Sequence, residues 1–589
     1  MQYKLIKGSK NDTNDVIGTV LQNRGIQNWE QYINLDASVV QDYNDLNNMK
    51  EAVECFIKHY ENHDKIMIMP DEDCDGFTSS AMLYMYIKSL DKTYPIDYIL
   101  HDHPKQHGLT EIDLDNFKDA KLVIIADAST NDAFQCNQLI ARGTDVIVLD
   151  HHDQDYIDED ENEFYNPIEI INNAIIVNNQ LSPQYKNKNL SGAGIVYRFL
   201  QAIDEELWEE YADNFLDLCA LGNIADVMDM RSLETRYLVN KGIASINNKF
   251  LQSLAHAQEY STKGIINIHN IAWYFAPVCN AVTRMGNKEE RELVFRAMIE
   301  QYEEFDYKKR DGSIIVENIY DRAVRIAKNI KSRQDKQRDI VFNELKDLVN
   351  LNEPIIILES HKAQNGLIGL SCMKLADTFK KCTIIVKKIE KDGSPLLVGS
   401  CRNFTDSPVS NLKELILKTE AFEFCRGHGN AAGLAILPEN LDLAKKRFKE
   451  LLFTVDFNTS TLCDFVIDID DLAVSFIQDI DSAKWIWCTG VKEPIVAVEN
   501  ICLLKKDITL QGKNCDSITF EINNIKFVQF KLKEGDPLYD FVNSWTVEDD
   551  DEIEFNAVGT CSINNYGGAL TPQFVISDVQ TIQNYSMEE

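Results

Sequence analysis

The sequence predicts an α/β protein that begins with a doubly wound, mainly parallel sheet. Short, continuous apolar runs at residues 66–69, 122–125 and 146–149 are typical of strands that are buried on both faces. Residues 78–87 place apolar and small side chains at helical spacing after the first run, which predicts a repeated order of strand, polar turn and helix. In such sheets, ligands bind beyond the carboxyl ends of the strands.

Clusters of carboxylates and imidazoles follow the predicted strands, and a further aspartate follows a later apolar stretch. The candidate residues are Asp71, Asp73, Asp75, Asp127, Asp150, His151, His152 and Asp226. Oxygen ligands combined with imidazole, without a cysteine at ligand spacing, favour Mn²⁺ or Mg²⁺ over structural zinc. Four carboxylates around an imidazole are enough to bridge two cations roughly 3.5–4 Å apart, an arrangement that activates water and stabilises phosphoryl oxygens.

Each cluster alone has a simpler interpretation. An Asp-x-Asp pair in a loop is usually a solvated turn, and an Asp-His-His sequence also occurs as a helix cap. Because the clusters end predicted strands and together supply the ligand types that one site needs, a shared metal site is the favoured interpretation.

In their order along the chain, these clusters resemble the four motifs of the DHH phosphoesterase superfamily. The first reads Asp71-Glu-Asp-Cys-Asp-Gly76, and Asp127, Asp150-His-His152 and Asp226 follow it. Leu190-Ser-Gly-Ala-Gly194 and residues 277–286 resemble further segments of the RecJ-like single-strand DNA exonucleases, although Val282-Thr283 replaces the usual Ala-Gly. The resemblance implies a DHH catalytic domain over residues 1–286.

The resemblance continues in a second α/β domain, implied over residues 351–455. Gly366-Leu-Ile-Gly369, Gly399-Ser-Cys-Arg402 and Arg426-Gly-His-Gly-Asn-Ala-Ala-Gly433 look like the DHH-associated substrate-binding domain, with Arg426 in place of its usual first glycine. Such glycines let backbone amides approach a phosphate, while arginine and histidine donate to its oxygens. The implied substrate-binding residues are Arg284, Arg402, Gly427, His428 and Gly429.

The resemblance also implies a role for each residue of the first site. Two Mn²⁺ or Mg²⁺ ions are held by Asp73, Asp75, Asp127, His151 and Asp226, with Asp127 as the bridge. Asp71 and Asp150 orient these ligands, and His152 contacts the scissile phosphate and protonates the leaving oxygen. Activated water attacks in line, and 5′-mononucleotides leave single-stranded DNA in the 5′-to-3′ direction.

Polar residues also follow a predicted strand at residues 96–101. They are His103, Lys105 and His107. Two interpretations stay open, that they bind the terminal phosphate of a substrate or that they only cap the loop.

A long helical connector is predicted over residues 287–350, with a break near residues 308–313. It carries a series of basic side chains, namely Arg322, Arg325, Lys328, Lys331, Arg333, Lys336 and Arg338. These form either an ordinary solvated helix face or a surface that binds a nucleic-acid strand.

The sequence pattern changes to alternating apolar and polar residues over residues 456–589. Strands are predicted at residues 518–522, 525–532, 553–561 and 573–576, separated by polar turns. Short strands at this spacing suggest a small barrel, and its position resembles that of an OB-fold.

Composition sets the outer limits. The chain has 589 residues and a net charge of −35, and its fourteen cysteines are scattered without paired spacing, as expected of reduced thiols in the cytoplasm. It contains no long apolar run, so no membrane association is expected. A strongly acidic protein repels polyanions at long range, which suggests recruitment to single-stranded DNA by a helicase or a single-strand binding protein.

Two other functions remain open from the sequence. One is hydrolysis of short oligoribonucleotides or cyclic dinucleotides, although the length, the connector and the terminal barrel argue against a smaller phosphodiesterase. The other is a replication-associated scaffold that has lost catalysis, which the presence of every candidate metal ligand disfavours.

Overall fold

The computed structural model describes residues 2–6, 11–104, 106–154, 171–309, 311–364, 366–391, 393–404, 407–457, 460–512, 515–544, 547–566 and 569–582. The chain divides into two compact units. The larger comprises residues 38–228 and 234–457, and the smaller comprises residues 1–37, 229–233 and 458–589. The predicted domain limits at residues 286 and 350 fall inside the larger unit and stay predictions.

A five-stranded, fully parallel sheet organises the first part of the larger unit. Its hydrogen-bonded order is Ile96–Tyr98, Ile66–Pro70, Leu122–Ala126, Asp145–Asp150 and Ile175–Asn178. The predicted doubly wound parallel sheet is therefore confirmed. Since successive strands are added on opposite sides of Ile66–Pro70, the topological switch lies between that strand and Leu122–Ala126.

The strand residues form this sheet because it is covered on both faces. Every residue of Ile66–Pro70 and Leu122–Ala126 is buried. Below residue 300, the unit contains these helices: Met49–Glu61, Cys74–Leu90, Ala133–Ala141, Gly192–Leu207, Leu216–Ala225, Leu233–Ile243, Lys249–Thr262, Ile268–Asn270, Ala276–Met285 and Lys288–Met298. The apolar faces of these helices thus cover the continuous apolar runs of the strands.

The connector differs from its prediction in one respect. Its expected break is a β-hairpin, in which Glu304–Lys308 pairs antiparallel with Ile314–Asn318. The long helix Ile319–Leu345 then begins directly after the hairpin, with Asn318 accepting a hydrogen bond from the Asp321 amide as its N-cap. Polar and apolar residues alternate in 304–308, which is a strand pattern, so the prediction of helix was wrong for this segment.

A second, mixed sheet follows the long helix. Its order is Phe424–His428, Ala431–Ile436, Ser394–Arg402, Thr383–Lys391 and Ile356–Glu359, antiparallel except for the last pair. The helices beside it are Ile368–Phe379, Leu412–Leu417 and Leu441–Leu451. This confirms the predicted second α/β fold.

The smaller unit is β-rich, as predicted. Seven strands form one mixed sheet in the order Phe465–Asp468, Val496–Leu504, Glu552–Tyr566, Ala569–Thr581, Ile525–Phe530, Ser517–Ile522 and Thr509–Gln511. Its described helices of five or more residues are Val16–Asn23, Trp29–Ile33, Val474–Ser482 and Pro537–Asn543.

The beginning of the chain belongs to this β-rich unit. Tyr3–Leu5 pairs in parallel with Thr461–Cys463, and Val20, Leu21 and Tyr32 lie in the same apolar core as Phe465 and Phe476. Burial of these side chains supplies the free energy that joins two segments more than 400 residues apart. Among the described helices, none combines the length and the apolar sequence that crossing a bilayer requires.

Candidate metal centre

The switch point of the parallel sheet gathers the predicted metal ligands. Three overlapping groups have donor atoms within 4.8 Å of one another: Asp71, Asp73 and Asp127; Asp75, His151 and Asp226; and Asp127, His151 and His152. The groups share Asp127 and His151, so they form one cluster. A single centre therefore contains all five predicted ligands together with Asp71 and His152.

The first motif is shaped by the start of a helix. Asp73 is the N-cap of Cys74–Leu90 and accepts a hydrogen bond from the Gly76 amide at 2.9 Å. Asp75 lies in the first turn, where its Oδ1 accepts from the Ser191 hydroxyl at 2.8 Å and from the Ala193 amide at 3.2 Å. Both carboxylates are thereby fixed at the carboxyl end of Ile66–Pro70.

Asp127 occupies an unusual backbone conformation. It directly follows Leu122–Ala126 and has a φ of +67°, in the left-handed region that aspartate tolerates better than most residues. Its amide donates to the Leu149 carbonyl at 2.8 Å, which anchors the turn to the neighbouring strand. The side chain is 1 % exposed and lies 3.2 Å from His151 Nε2.

Two glycines allow helices to approach the metal carboxylates. A Cβ atom at Gly192 would lie 2.5 Å from Asp127 Cβ, and one at Gly222 would lie 2.3 Å from Asp75 Oδ1. The segment Leu190 to Gly194, noted in the sequence, is therefore a packing surface for the centre.

The third motif orients two imidazoles differently. Asp150 ends its strand, is 1 % exposed and accepts from the Thr130 amide and from His152 Nδ1, the latter at 2.7 Å. His151 Nε2 instead points toward Asp127 and Asp226, at 3.2 and 3.4 Å. Thus His151 faces the ligand cluster, whereas His152 is held by Asp150.

Asp226 reaches the centre from a helix rather than from a strand. It is the C-cap residue of Leu216–Ala225. The apolar stretch before Asp226 is a helix buried against Cys74–Leu90 and Gly192–Leu207, whereas the other three clusters follow strands as predicted.

The negative charge of the centre is not balanced by positive charge on the described residues around it. Burial and the neighbouring carboxylates raise the pKa of Asp75 to about 7 and raise those of Asp127 and Asp226 well above the usual value. Within the described residues, Asp75 Oδ2 and Asp127 Oδ1 are buried and accept no hydrogen bond. Buried carboxylate oxygens without donors are costly, so the site fits divalent cations.

The two histidines outside the predicted ligand positions, His107 and His152, have raised pKa values. Burial works against His152, but Asp150 outweighs it and raises the pKa of His152 to about 10. Burial likewise opposes protonation of His107, whereas Asp71, 2.9 Å from its Nδ1, raises its pKa to about 9. His107 and His152 are ring neighbours with centroids 5.3 Å apart.

The loop after Ile96–Tyr98 supplies the contact between His107 and Asp71. His107 and the Gly108 amide both bond Asp71, so His107 supports a carboxylate of the centre. The His103 amide donates to Gln106 Oε1, which is a loop cap. Lys105 lies outside the described residues.

Sequence reasoning missed a buried ion pair behind the first motif. Arg291 Nη1 contacts Glu72 Oε1, both side chains are fully buried, and Arg291 Nη2 donates to the carbonyls of His101 and Asp102 at 3.0 and 2.9 Å. Glu72 lies between Asp71 and Asp73, so Arg291 ties the helix Lys288–Met298 to the metal motif. A lone arginine on a charged helix carries no sequence signal for this role.

The predicted substrate-binding residues lie on the second sheet and the helix before the connector. Burial is the main cause that lowers the pKa of Arg284, and both Asp73 and Arg402 lie within electrostatic reach of its guanidinium group. Arg402 ends Ser394–Arg402 and packs on Gly369, where a Cβ atom would be 2.4 Å from Nη2.

The glycine-rich turn has defined backbone positions. Gly427 has a φ of +123° and pairs with Ala432, and the Gly429 carbonyl accepts from the Lys413 amide at 2.8 Å. His428 ends its strand opposite Ala431. The side chain of His428 lies outside the described part of the structure.

The basic residues of the connector are mostly paired with acidic or aromatic neighbours. Arg325 bonds Glu317 and lies over the Tyr307 ring, and Arg333 bonds Glu290 at 2.8 Å. Lys331 and Arg338 both contact Asp335. This pairing favours the interpretation of an ordinary helix face.

Together, the fold and the centre define a divalent-metal phosphoesterase. A profile of the DHH family, N-terminal domain, matches residues 65–223. The chain is 35 % identical, over all of both chains, to the putative SPbeta prophage-derived single-strand DNA-specific exonuclease YorK of Bacillus subtilis strain 168. It is also 24 % identical to the single-stranded-DNA-specific exonuclease RecJ of that strain, over 96 % of this chain and 67 % of RecJ.

Solved structures show the same fold. RecJ of Thermus thermophilus in complex with Mn²⁺ has a TM-score of 0.73 at 17 % identity, and the matched region covers 99 % of this chain and 79 % of the RecJ chain. The Mg²⁺ complex of that protein has a TM-score of 0.68 at 16 % identity, with 99 % and 78 % coverage. The chain belongs to the RecJ-like single-strand DNA-specific exonucleases of the DHH family. It is a metal-dependent exonuclease whose centre suits Mn²⁺ or Mg²⁺.

Proposed function

We propose that the protein hydrolyses single-stranded DNA from its 5′ end and releases 5′-mononucleotides by a two-cation mechanism. The observation that carries this proposal is the cluster of buried carboxylates around His151, with Asp127 in two of its donor groups. The direction and the substrate rest on the likeness to the single-strand DNA-specific exonucleases.

The residues divide into holders of the cations and residues that handle protons. Asp73, Asp75, Asp127, His151 and Asp226 hold the two ions, and Asp71, oriented by His107 and Gly108, supports them. Bound Mn²⁺ or Mg²⁺ polarises the scissile phosphate and makes water a better nucleophile. Asp150 supports the centre by fixing the orientation of His152.

His152 is the proposed proton donor to the leaving oxygen. Its Nδ1 is bound to Asp150, which leaves Nε2 to face the substrate, and its side chain is 35 % exposed while Asp150 is buried. A raised pKa keeps the imidazolium charged at neutral pH, so it can attract the phosphate and then donate a proton as the P–O bond breaks.

Arg284 and Arg402 are proposed to hold the phosphate next to the scissile one. Arg284 lies within electrostatic reach of both Asp73 and Arg402. Their guanidinium groups therefore extend a path of positive charge from the metal centre to the second sheet, where backbone amides at Gly427 and Gly429 and the predicted ligand His428 complete the subsite.

The direct test is hydrolysis of 5′-phosphorylated single-stranded DNA that is labelled at its 3′ end. With Mn²⁺ we expect stepwise shortening, label retained on the remaining strand until late, and unlabelled 5′-mononucleotides among the products. Asp127→Asn, which keeps the size and the backbone tolerance of Asp127, should be inactive, whereas Asp119→Asn, at an exposed aspartate, should match the unmodified protein.

Two outcomes would contradict the proposal. Early release of the 3′ label would reverse the direction. Intact DNA, together with cleavage of short oligoribonucleotides or a cyclic dinucleotide, would assign another substrate, and intact substrates throughout would favour a scaffold.

Recruitment and location are proposed from charge and thiol state. The net charge of −35 weakens encounter with a free polyanion, so a helicase or single-strand binding protein is the proposed source of substrate. No disulfide joins the cysteines that the structure describes, which agrees with a reducing cytoplasm. A pulldown from replicating cells that recovers neither partner would count against recruitment.

A further inference from the structure

A second group of metal-ligand side chains lies at the opposite end of the parallel sheet. Donor atoms of Cys55, His59 and Asp145 lie within 4.8 Å of one another. Asp145 begins the strand Asp145–Asp150, whose last residue supports the catalytic centre. Five residue steps of a strand span roughly 16 Å, so the two groups are separate.

Local structure explains why these three donors converge. Cys55 and His59 are four residues apart on Met49–Glu61, so their side chains share one face of the helix. The chain turns back after the helix, and the Tyr94 hydroxyl lies 2.9 Å from the carbonyl oxygens of both His59 and Asp64, so its one hydrogen bond holds this turn. His59 is 5 % exposed and is therefore held in place.

The imidazole of His59 has the orientation of a metal-binding histidine. Its Nε2 is 2.8 Å from Asp145 Oδ2, and its Nδ1 is 2.8 Å from Asp64 Oδ2. A carboxylate that accepts from the distal ring nitrogen is the usual outer partner of a ligating histidine, because it fixes the tautomer and the ring plane. Asp64 supplies this partner.

We propose that Cys55, His59 and Asp145 form a zinc site. Sulfur, imidazole nitrogen and carboxylate oxygen are the three donor types that zinc binds tetrahedrally, and this mixture differs from the oxygen-rich catalytic centre. Two light-atom ligands at about 2.0–2.1 Å from zinc are roughly 3.3 Å apart, so His59 and Asp145 need to separate by only about half an ångström.

The site is accessible and has room for a fourth ligand. Cys55 and Asp145 line an open cavity of about 370 Å³, which Glu51, one helical turn before Cys55, also lines. Water or the Glu51 carboxylate completes the tetrahedron from this cavity. The ion would cross-link the helix Met49–Glu61 to the strand Asp145–Asp150 and stabilise the sheet at the end away from catalysis.

The neighbouring charges show what the ion must displace. Lys58 Nζ lies 2.9 Å from Asp145 Oδ2, but its side chain is 61 % exposed and can turn into solvent. Burial raises the pKa of the Cys55 thiol to about 11, with Asp145 adding to the shift, so zinc binding releases a proton.

Cobalt(II) substitution tests the proposal on the full chain. A thiolate ligand gives Co²⁺ an intense sulfur-to-metal charge-transfer band, which the Asp and His ligands of the catalytic centre do not give. We expect the band in the unmodified protein and its displacement by an excess of Zn²⁺. Cys55→Ser should abolish the band and His59→Gln should weaken it strongly.

Matched variants make every outcome decisive. Cys502→Ser removes an exposed cysteine elsewhere and should keep the band. Asp127→Asn should also keep it, because the catalytic centre contributes no sulfur. Absence of the band in the unmodified protein, or its persistence in Cys55→Ser, would overturn the zinc site, as would a band lost in Asp127→Asn, which would place the metal beside Cys74.

Discussion

The metal centre and the connector helix Ile319–Leu345 are both rich in charged residues, but carboxylates repel one another at the centre, whereas opposite charges are paired along the helix. At the centre, buried carboxylates face one another, and their pKa values rise because no sufficient positive charge accompanies them. Along Ile319–Leu345, Arg325, Lys331, Arg333 and Arg338 contact carboxylates of the chain itself. Buried charge without a partner therefore marks where a ligand acts, whereas paired charge on a surface marks ordinary helix packing.

The largest effect is expected for Asp127→Asn. The change removes a ligand that two donor groups share, so turnover should fall about 10³-fold or more. It also removes one of the repelling carboxylates, so the metal-free variant should unfold at a higher temperature than the metal-free unmodified protein.

Turnover with Mn²⁺ and thermal unfolding in a chelator measure the two halves of this prediction. Loss of turnover with an unchanged or lowered unfolding temperature would show that Asp127 is not under electrostatic stress in the folded protein.

Arg291→Met should have the next largest effect. It leaves Glu72 buried without its partner, which is expected to lower the free energy of unfolding by about 3–5 kcal/mol. Urea unfolding measures this loss, and manganese affinity should fall with it because Glu72 lies between Asp71 and Asp73. The double variant Arg291→Met with Glu72→Gln removes both charges and should recover part of the stability, and a double variant as unstable as the single one would argue against the ion pair.

His152→Gln should lower kcat by about 10²-fold or more. The charged imidazolium donates the proton, so kcat of the unmodified protein should fall at alkaline pH as the histidine is deprotonated. A pH profile of both proteins tests this, with His103→Gln, in the exposed loop, as the control. If the variant keeps the alkaline decline, another group supplies the proton.

Arg333→Gln should have the smallest effect. Its pair with Glu290 is half exposed, so the free energy of unfolding should change by less than about 1 kcal/mol. The dependence of log KM on log salt concentration should keep its slope, whereas loss of one single-strand phosphate contact would reduce that slope by about 0.7. A reduced slope would show that the helix does bind the strand, and Arg284→Gln provides the positive comparison.

The same contrast explains what the sequence could predict. Apolar strands followed at once by Asp71, Asp127 and Asp150 are local patterns, so the sheet and the convergence of these side chains could be predicted. The Glu72–Arg291 pair depends on two segments more than 200 residues apart, and the pairing of Arg325 with Glu317 depends on a hairpin that the helical pattern concealed. Asp226 was found by its motif, although its element is a helix.

The packing position of the N-terminal segment could not be predicted from the sequence for a similar reason. Val20, Leu21 and Tyr32 have an ordinary helical apolar pattern, and nothing local indicates that their partners are Phe465 and Phe476. Long-range packing of this kind is set by which apolar faces remain available after the rest of the chain has folded.

Manganese titration by calorimetry at pH 7, in two buffers that differ in ionisation enthalpy, measures whether the buried carboxylates bind two cations. Because the pKa of Asp75 is raised to about 7 and those of Asp127 and Asp226 are also raised, the metal-free centre holds protons that the cations must displace. We expect two bound Mn²⁺ ions per chain with net proton release, and both should be reduced in Asp127→Asn. Binding without proton release, or equal binding by Asp127→Asn, would show that the buried carboxylates do not hold the cations.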